Sequence, residues 1–184
     1  MGWAVIQFLV LIVALNSASA DIIPKSRTTS VGKSVTPAEV FALIKTEGAA
    51  RAVVLLDKSG AWALSVIPGI EPAQPDWLEV ARALYSKTDA GGSEELDDAL
   101  DGALLRAPYV VLPMAKELWW SGSDTLCRYP WDSDPPGGVE SYVLNLRKAL
   151  EKEPPSEQLR SLRAECLRVI DATLKEVEKH KDDG

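Results

Sequence analysis

Apolar residues recur along this chain every three or four positions, and strict apolar–polar alternation never persists over five residues. That is the period of a helix face, not of a half-buried strand. The clearest stripe is Leu96, Ala99, Leu100, Ala103 and Leu104. An earlier one carries Trp77, Val80, Ala81 and Leu84, at i, i+3, i+4 and i+7. Val139, Tyr142, Val143, Leu146 and Leu150 define a third. A final stripe runs through Leu159, Leu162, Cys166, Val169, Ile170, Leu174 and Val177.

The boundaries of these segments carry their own signals. Thr36-Pro37-Ala38-Glu39 is a capping box with Pro at the first helical position. It predicts a helix through Val40, Leu43 and Ile44 that stops near Gly48. Residues 49–58 predict a second short helix, although their VVLL core also suits a buried strand. Three prolines in residues 67–76 predict a loop. Ser93 is the expected N-cap of the Leu96 helix, with Glu94 and Glu95 in a first turn where the helix dipole favours acids. Ala107-Pro108 ends that helix and opens another through Leu112, which Pro113 must kink or end. Residues 119–138 read as a long loop, Glu153-Pro154-Pro155 as a stop, and Ser156 as the cap of the last helix.

The expected fold is therefore all-α. It is a single domain of several short antiparallel helices, a helical bundle or HEAT-like packing, over residues 36–180. Residues 21–35 are expected to be a flexible N-terminal segment and 181–184 a disordered tail.

Residues 1–20 read as a signal peptide. The apolar stretch from Trp3 to Leu15 has the length of an h-region, and Ala18-Ser19-Ala20 supplies a small-x-small cleavage pattern. The stretch before it has no Lys or Arg, so an uncleaved anchor or a buried first helix remains an alternative. The expected location is secreted or periplasmic, with no membrane span after cleavage, since no later apolar run approaches 18 residues. Export gives Cys127 and Cys166, the only cysteines, a meaning: an even pair in an oxidising compartment implies one disulfide. The alternative is two buried thiols.

Charge narrows the partner. The formal net charge is -7, and none of the charged residues lies in the first 20. That argues against nucleic acid and against anionic membrane surfaces, and it suits a basic protein partner. Two stretches are candidates for recognition. Glu94, Asp97, Asp98 and Asp101 form an acidic run, and residues 88–105 contain no basic residue. This is either a solvated helix face or a docking patch; the spacing does not match a calcium loop. Trp119, Trp120, Tyr129 and Trp131 fall within 13 residues, and the rings either pack around the disulfide or anchor a partner. Catalytic motifs such as G-x-S-x-G, H-E-x-x-H and the P-loop do not occur, and the one His, His180, lies in a charged tail. No cofactor and no metal site is expected.

The segment Trp77-Leu78-Glu79-Val80-Ala81, with Asp89-Ala90-Gly91, Ser93-Glu94, Leu96, Ala99-Leu100, Ala103-Leu104 and Pro108, resembles a family of small secreted bacterial proteins of uncharacterised function with a helical-repeat-like core. Cys127-Arg128-Tyr129-Pro130 and Cys166-Leu167 extend the resemblance, which covers residues 75–170. The shared positions are mostly helix-packing residues, so the resemblance implies fold and compartment but no activity. Ala107 departs from it, since an Asn often stands before that proline in such proteins.

The expected function is an exported interaction or inhibitor/immunity-type module that binds a basic envelope partner. An envelope accessory protein without a discrete ligand site, or a carboxylate-dependent hydrolase of envelope polymer, are the alternatives. The leader makes a direct prediction: exported protein begins at Asp21. Intact-mass measurement of secreted material should give that N-terminus, and a retained Met1 would refute it.

Overall fold

The computed structural model describes residues 32–118, 126–128, 135 and 137–182. The elements among these residues are all helical, and no strand occurs among them, as the apolar spacing predicts.

Helix α1 (Pro37–Glu47) starts on the capping box. Glu39 N donates to the Thr36 hydroxyl at 3.3 Å, and Thr36 N donates to the Glu39 carboxylate at 2.8 Å. The bond from Thr36 N, and with it one from the Thr36 hydroxyl to the same carboxylate at 3.0 Å, favour the ionised acid and hold the Glu39 carboxyl below its ordinary pKa. A single residue, Gly48 at φ 79°, joins α1 to α2 (Ala49–Lys58). Glycine adopts that left-handed φ without steric cost. The VVLL stretch is thus helical, and Ala52 and Leu56 face the core.

Past Gly60 a π-helical turn (Trp62–Val66) runs directly into α3 (Ile67–Ile70). The loop expected over residues 67–76 is accordingly confined to residues 71–74. Pro68 stands at the start of α3, directly after the π turn. Ala73 closes the turn at φ 61°, its N–H donating to the Ile70 carbonyl at 2.8 Å. The π turn brings Trp62, Ser65 and Val66 inward. The Ser65 hydroxyl accepts from Val35 N at 3.0 Å, which ties down the end of the segment expected to be flexible.

Helix α4 (Pro75–Leu84) buries Trp77, Leu78, Val80, Ala81 and Leu84. A short 3₁₀ turn (Tyr85–Lys87) leads to α5 (Ala90–Arg106), whose N-cap is Asp89 rather than Ser93. The Asp89 carboxylate accepts from Gly92 N at 3.0 Å, and Ser93 instead donates to the Ala90 carbonyl at 2.9 Å. Glu94 and Glu95 consequently lie in the second turn, not the first. After Ala107 come α6 (Pro108–Val111), a 3₁₀ turn (Leu112–Met114) that contains Pro113, and α7 (Ala115–Leu118), so the α-helix ends just before this proline. Helix α8 spans Gly138–Ala149, and α9 spans Glu157–Asp182, two residues past the expected end of the domain. Leu159 N donates to Ser156 Oγ at the start of α9.

Helix α5 packs against α3, α6 and α8; α8 also packs against α9, and α1 against α2 and α4. The buried side chains form one continuous cluster. Cys127 and Cys166 are both fully buried and disulfide-bonded, with Cα atoms 5.3 Å apart and a sequence separation of 39. Among the described residues no single helix is long and apolar enough to cross a membrane.

Two stability tests follow from this packing. A Cβ at Gly69 would lie 2.4 Å from the Trp77 ring, whereas at Gly91 it would meet only Asp89 Oδ1 at 4.0 Å. Gly69→Ala should therefore cost about 1–3 kcal/mol in urea denaturation through overpacking. Gly91→Ala, in a helix first turn, should be neutral or stabilising by up to about 1 kcal/mol. Equal effects would contradict the ring-on-backbone contact. Separately, reducing the Cys127–Cys166 bond should lower the melting temperature, since a loop of this length is worth about 4 kcal/mol in the chain-entropy account. Identical melting of oxidised and reduced protein would contradict that.

Candidate functional site

An α-helix turns by about 100° per residue, so the stripe from Leu96 to Leu104 leaves acids on both flanks of α5. Their environments differ sharply. Glu94 and Asp98 are exposed, and neither is paired with a cation among the described residues. Asp97 is half-buried, and its carboxylate accepts from the Tyr85 hydroxyl at 2.8 Å. Asp101 is 6% exposed. The expectation that Asp101 belongs to the solvent-facing acidic run is thus corrected: it is buried, with Tyr142 of α8 near enough to act on its carboxyl. Its Oδ2 is buried without a hydrogen-bond partner.

This environment works against ionisation. Burial pushes the Asp101 carboxyl well above the usual range; the nearby Tyr142 hydroxyl opposes that, and the charges of Asp97 and Asp98 add to it. Tyr85 is also pushed upward, first by burial, then by its bond to Asp97 and the nearby charges of Asp97 and Asp101. On the opposite flank, the Trp62 indole N–H donates to the Glu95 carboxylate. Tyr85 and Trp62 were not expected as partners of α5. Their only signal in the sequence is that a half-buried Tyr or Trp brings a donor that needs an acceptor.

The candidate acidic face thus contracts to Glu94 and Asp98, with Glu95 beside them already engaged. Of the remaining candidates, Cys127 and Cys166 are joined as expected. Trp119, Trp120, Tyr129 and Trp131 lie outside the described residues.

A separate groove of about 330 Å³ lies between the α5–α6 corner and the end of α8, lined by Leu105, Pro108, Tyr109, Val110, Ala149 and Lys152 among others. The Tyr109 hydroxyl donates to the carbonyls of Leu150 and Lys152, at 2.9 and 2.6 Å, tying the corner to the α8 terminus. The groove's lining holds Arg106 and Lys152 but no carboxylate. Among the described residues, no group of three or more His, Cys, Asp or Glu is placed to hold a metal ion. Comparison with protein families, curated proteins and solved structures finds no match to this chain.

Proposed function

We propose that this protein is an exported, non-enzymatic interaction module of the inhibitor or immunity type, whose α5 edge docks on a basic partner protein. The observation that carries this reading is the edge itself. Glu94 and Asp98 are exposed, neither is paired with a cation among the described residues, and the stretch 88–105 holds no basic residue to compensate them. Such an edge projects negative potential and speeds encounter with a positive surface. Trp120 and Trp131 supply the desolvated anchors in this reading, and the buried disulfide suits an oxidising compartment.

An envelope accessory protein without a discrete ligand site is the second reading. It is favoured by the diversion of Asp97 to the Tyr85 phenol and by the burial of Asp101. A carboxylate-dependent hydrolase has less support, because the groove at the α5–α6 corner has no acid in its lining.

Capture from an envelope extract at low and high salt identifies the partner, and association kinetics then test the surface. Glu94→Gln with Asp98→Asn should slow association roughly two- to tenfold at low ionic strength, with the difference vanishing at high salt. Trp120→Ala or Trp131→Ala should chiefly speed dissociation in variants whose melting is unchanged. A partner that associates equally fast with the charge-neutralised variant would eliminate the steering role of α5.

A further inference from the structure

The groove between the α5–α6 corner and the end of α8 takes no part in docking through the α5 edge, and its chemistry is of the opposite sign. At about 330 Å³ it falls at the small end of ligand pockets, which run from roughly 300 to 1,000 Å³. Leu105, Pro108, Val110 and Ala149 make its walls apolar. Val110 is 47% exposed, a wall left open to water. We propose that this groove binds a small, free amphipathic carboxylate, with its head between Arg106 and Lys152 and its apolar body along Leu105, Val110 and Ala149.

The walls are set before any ligand arrives. Proline disfavours helical backbone in the residue before it, so α5 stops at Arg106 and the chain turns at Ala107, with φ -142° and ψ 68°. The Tyr109 hydroxyl bonds to the Leu150 and Lys152 carbonyls, which ties the corner to the end of α8. A ligand meeting such walls spends little free energy on ordering them.

Two helices end at this groove, and unsatisfied carbonyls at helix ends repel an anion. Here they are answered. Leu150 N donates to the carbonyls of Leu146 and Arg147, Glu151 N to that of Lys148, Ala107 N to that of Ala103, and Val110 N to that of Ala107. The side-chain charges therefore decide. Arg106 is shared with the Glu71 carboxylate at 3.4 Å, whereas Lys152 has no ion pair among the described residues. Two cations against one acid suit a monoanion. A carboxylate also matches the planar donors that Glu71 leaves on the guanidinium, with the ammonium as a point charge. Glu151 and Glu153 flank Lys152 in sequence but do not line the groove. On the far side of Val110, a depression of about 120 Å³ is lined by Asp76 and Glu79, and its one cation, Arg82, is paired with Glu79 and Glu117. An anionic head thus has its place only at the Arg106–Lys152 end.

Hexanoate is the probe, followed by methyl and amide NMR shifts of the intact protein, with acetate, hexanol and hexylamine as comparisons. Hexanoate should give saturable shifts at Leu105, Val110 and Ala149 and bind at least about threefold more tightly than each of the others. Lys152→Gln and Arg106→Gln should each weaken it about two- to fivefold, as befits exposed charges. Ala149→Phe, which fills the groove, should abolish the shifts. Lys116→Gln, an exposed cation that lines a different depression, should change nothing. Melting temperatures check that the variants fold, and the four probes on the unmodified protein decide the matter even where one does not. The proposal is overturned by the absence of saturable groove shifts, by hexanol or hexylamine binding as tightly as hexanoate, or by unchanged affinity in the Arg106→Gln, Lys152→Gln double variant. Groove signals that move with protein concentration alone would place a second copy there instead. A tetrapeptide ending in leucine that binds more than tenfold tighter than hexanoate would make the occupant a chain end of a partner, and would likewise overturn the free acid.

Discussion

The burial of one face of α5 is the interaction on which the other contacts in this chain depend. Leu96, Leu100 and Leu104 are fully removed from water there, with Ala99 and Ala103 between them. Each leucine is worth about 1.5–3 kcal/mol on burial. Helix formation across Gly91 and Gly92 costs about 1 kcal/mol per glycine. The helix nevertheless begins at Ala90, because the Asp89 carboxylate caps it there by accepting from Gly92 N. The small residues of the stripe matter as well, since alanine and glycine let neighbours approach the helix backbone. Glu71 lies against Gly102 closely enough that a Cβ there would stand 2.6 Å from its Cγ.

A helix gripped from several sides cannot keep all its polar residues in water. The helices that cover the stripe also cover part of its flanks. On one flank Asp101 is buried and Tyr85 takes Asp97; on the other the Trp62 indole takes Glu95. The acids left to solvent are those farthest around the helix from the packed neighbours. Surface chemistry here is what remains after core packing, and the same four-residue spacing that places Asp97 with Asp101 places Glu94 with Asp98.

What could be read from the sequence was local. The Thr36–Glu39 capping box, the Trp77–Leu84 face and the α5 stripe depend on residues within a turn or two of each other, and all three are present in the structure. The disulfide was legible for a different reason: two cysteines allow only one pairing. Misreadings arose where distant parts of the chain decide. Pro68 signals a break by itself, yet the chain runs helical from the π turn through it into α3, and only residues 71–74 form the loop. Asp89 and Ser93 are both good caps, and no local rule chooses between them. Asp101 is buried, and Tyr142, which acts on its carboxyl, stands 41 positions along the chain.

The position of α8 relative to the disulfide has a topological meaning. Cys127 precedes α8 and Cys166 follows it on α9, so the whole helix lies inside a covalently closed ring. Non-covalent contacts decide whether α8 is docked, but the ring limits how far it can travel once undocked. Re-docking is then an intramolecular encounter whose effective concentration is set by the ring length, not by the concentration of protein in its compartment. Dilution cannot weaken it, and a displaced α8 meets its own core before it meets that of another molecule, a safeguard against exchange of this helix between chains.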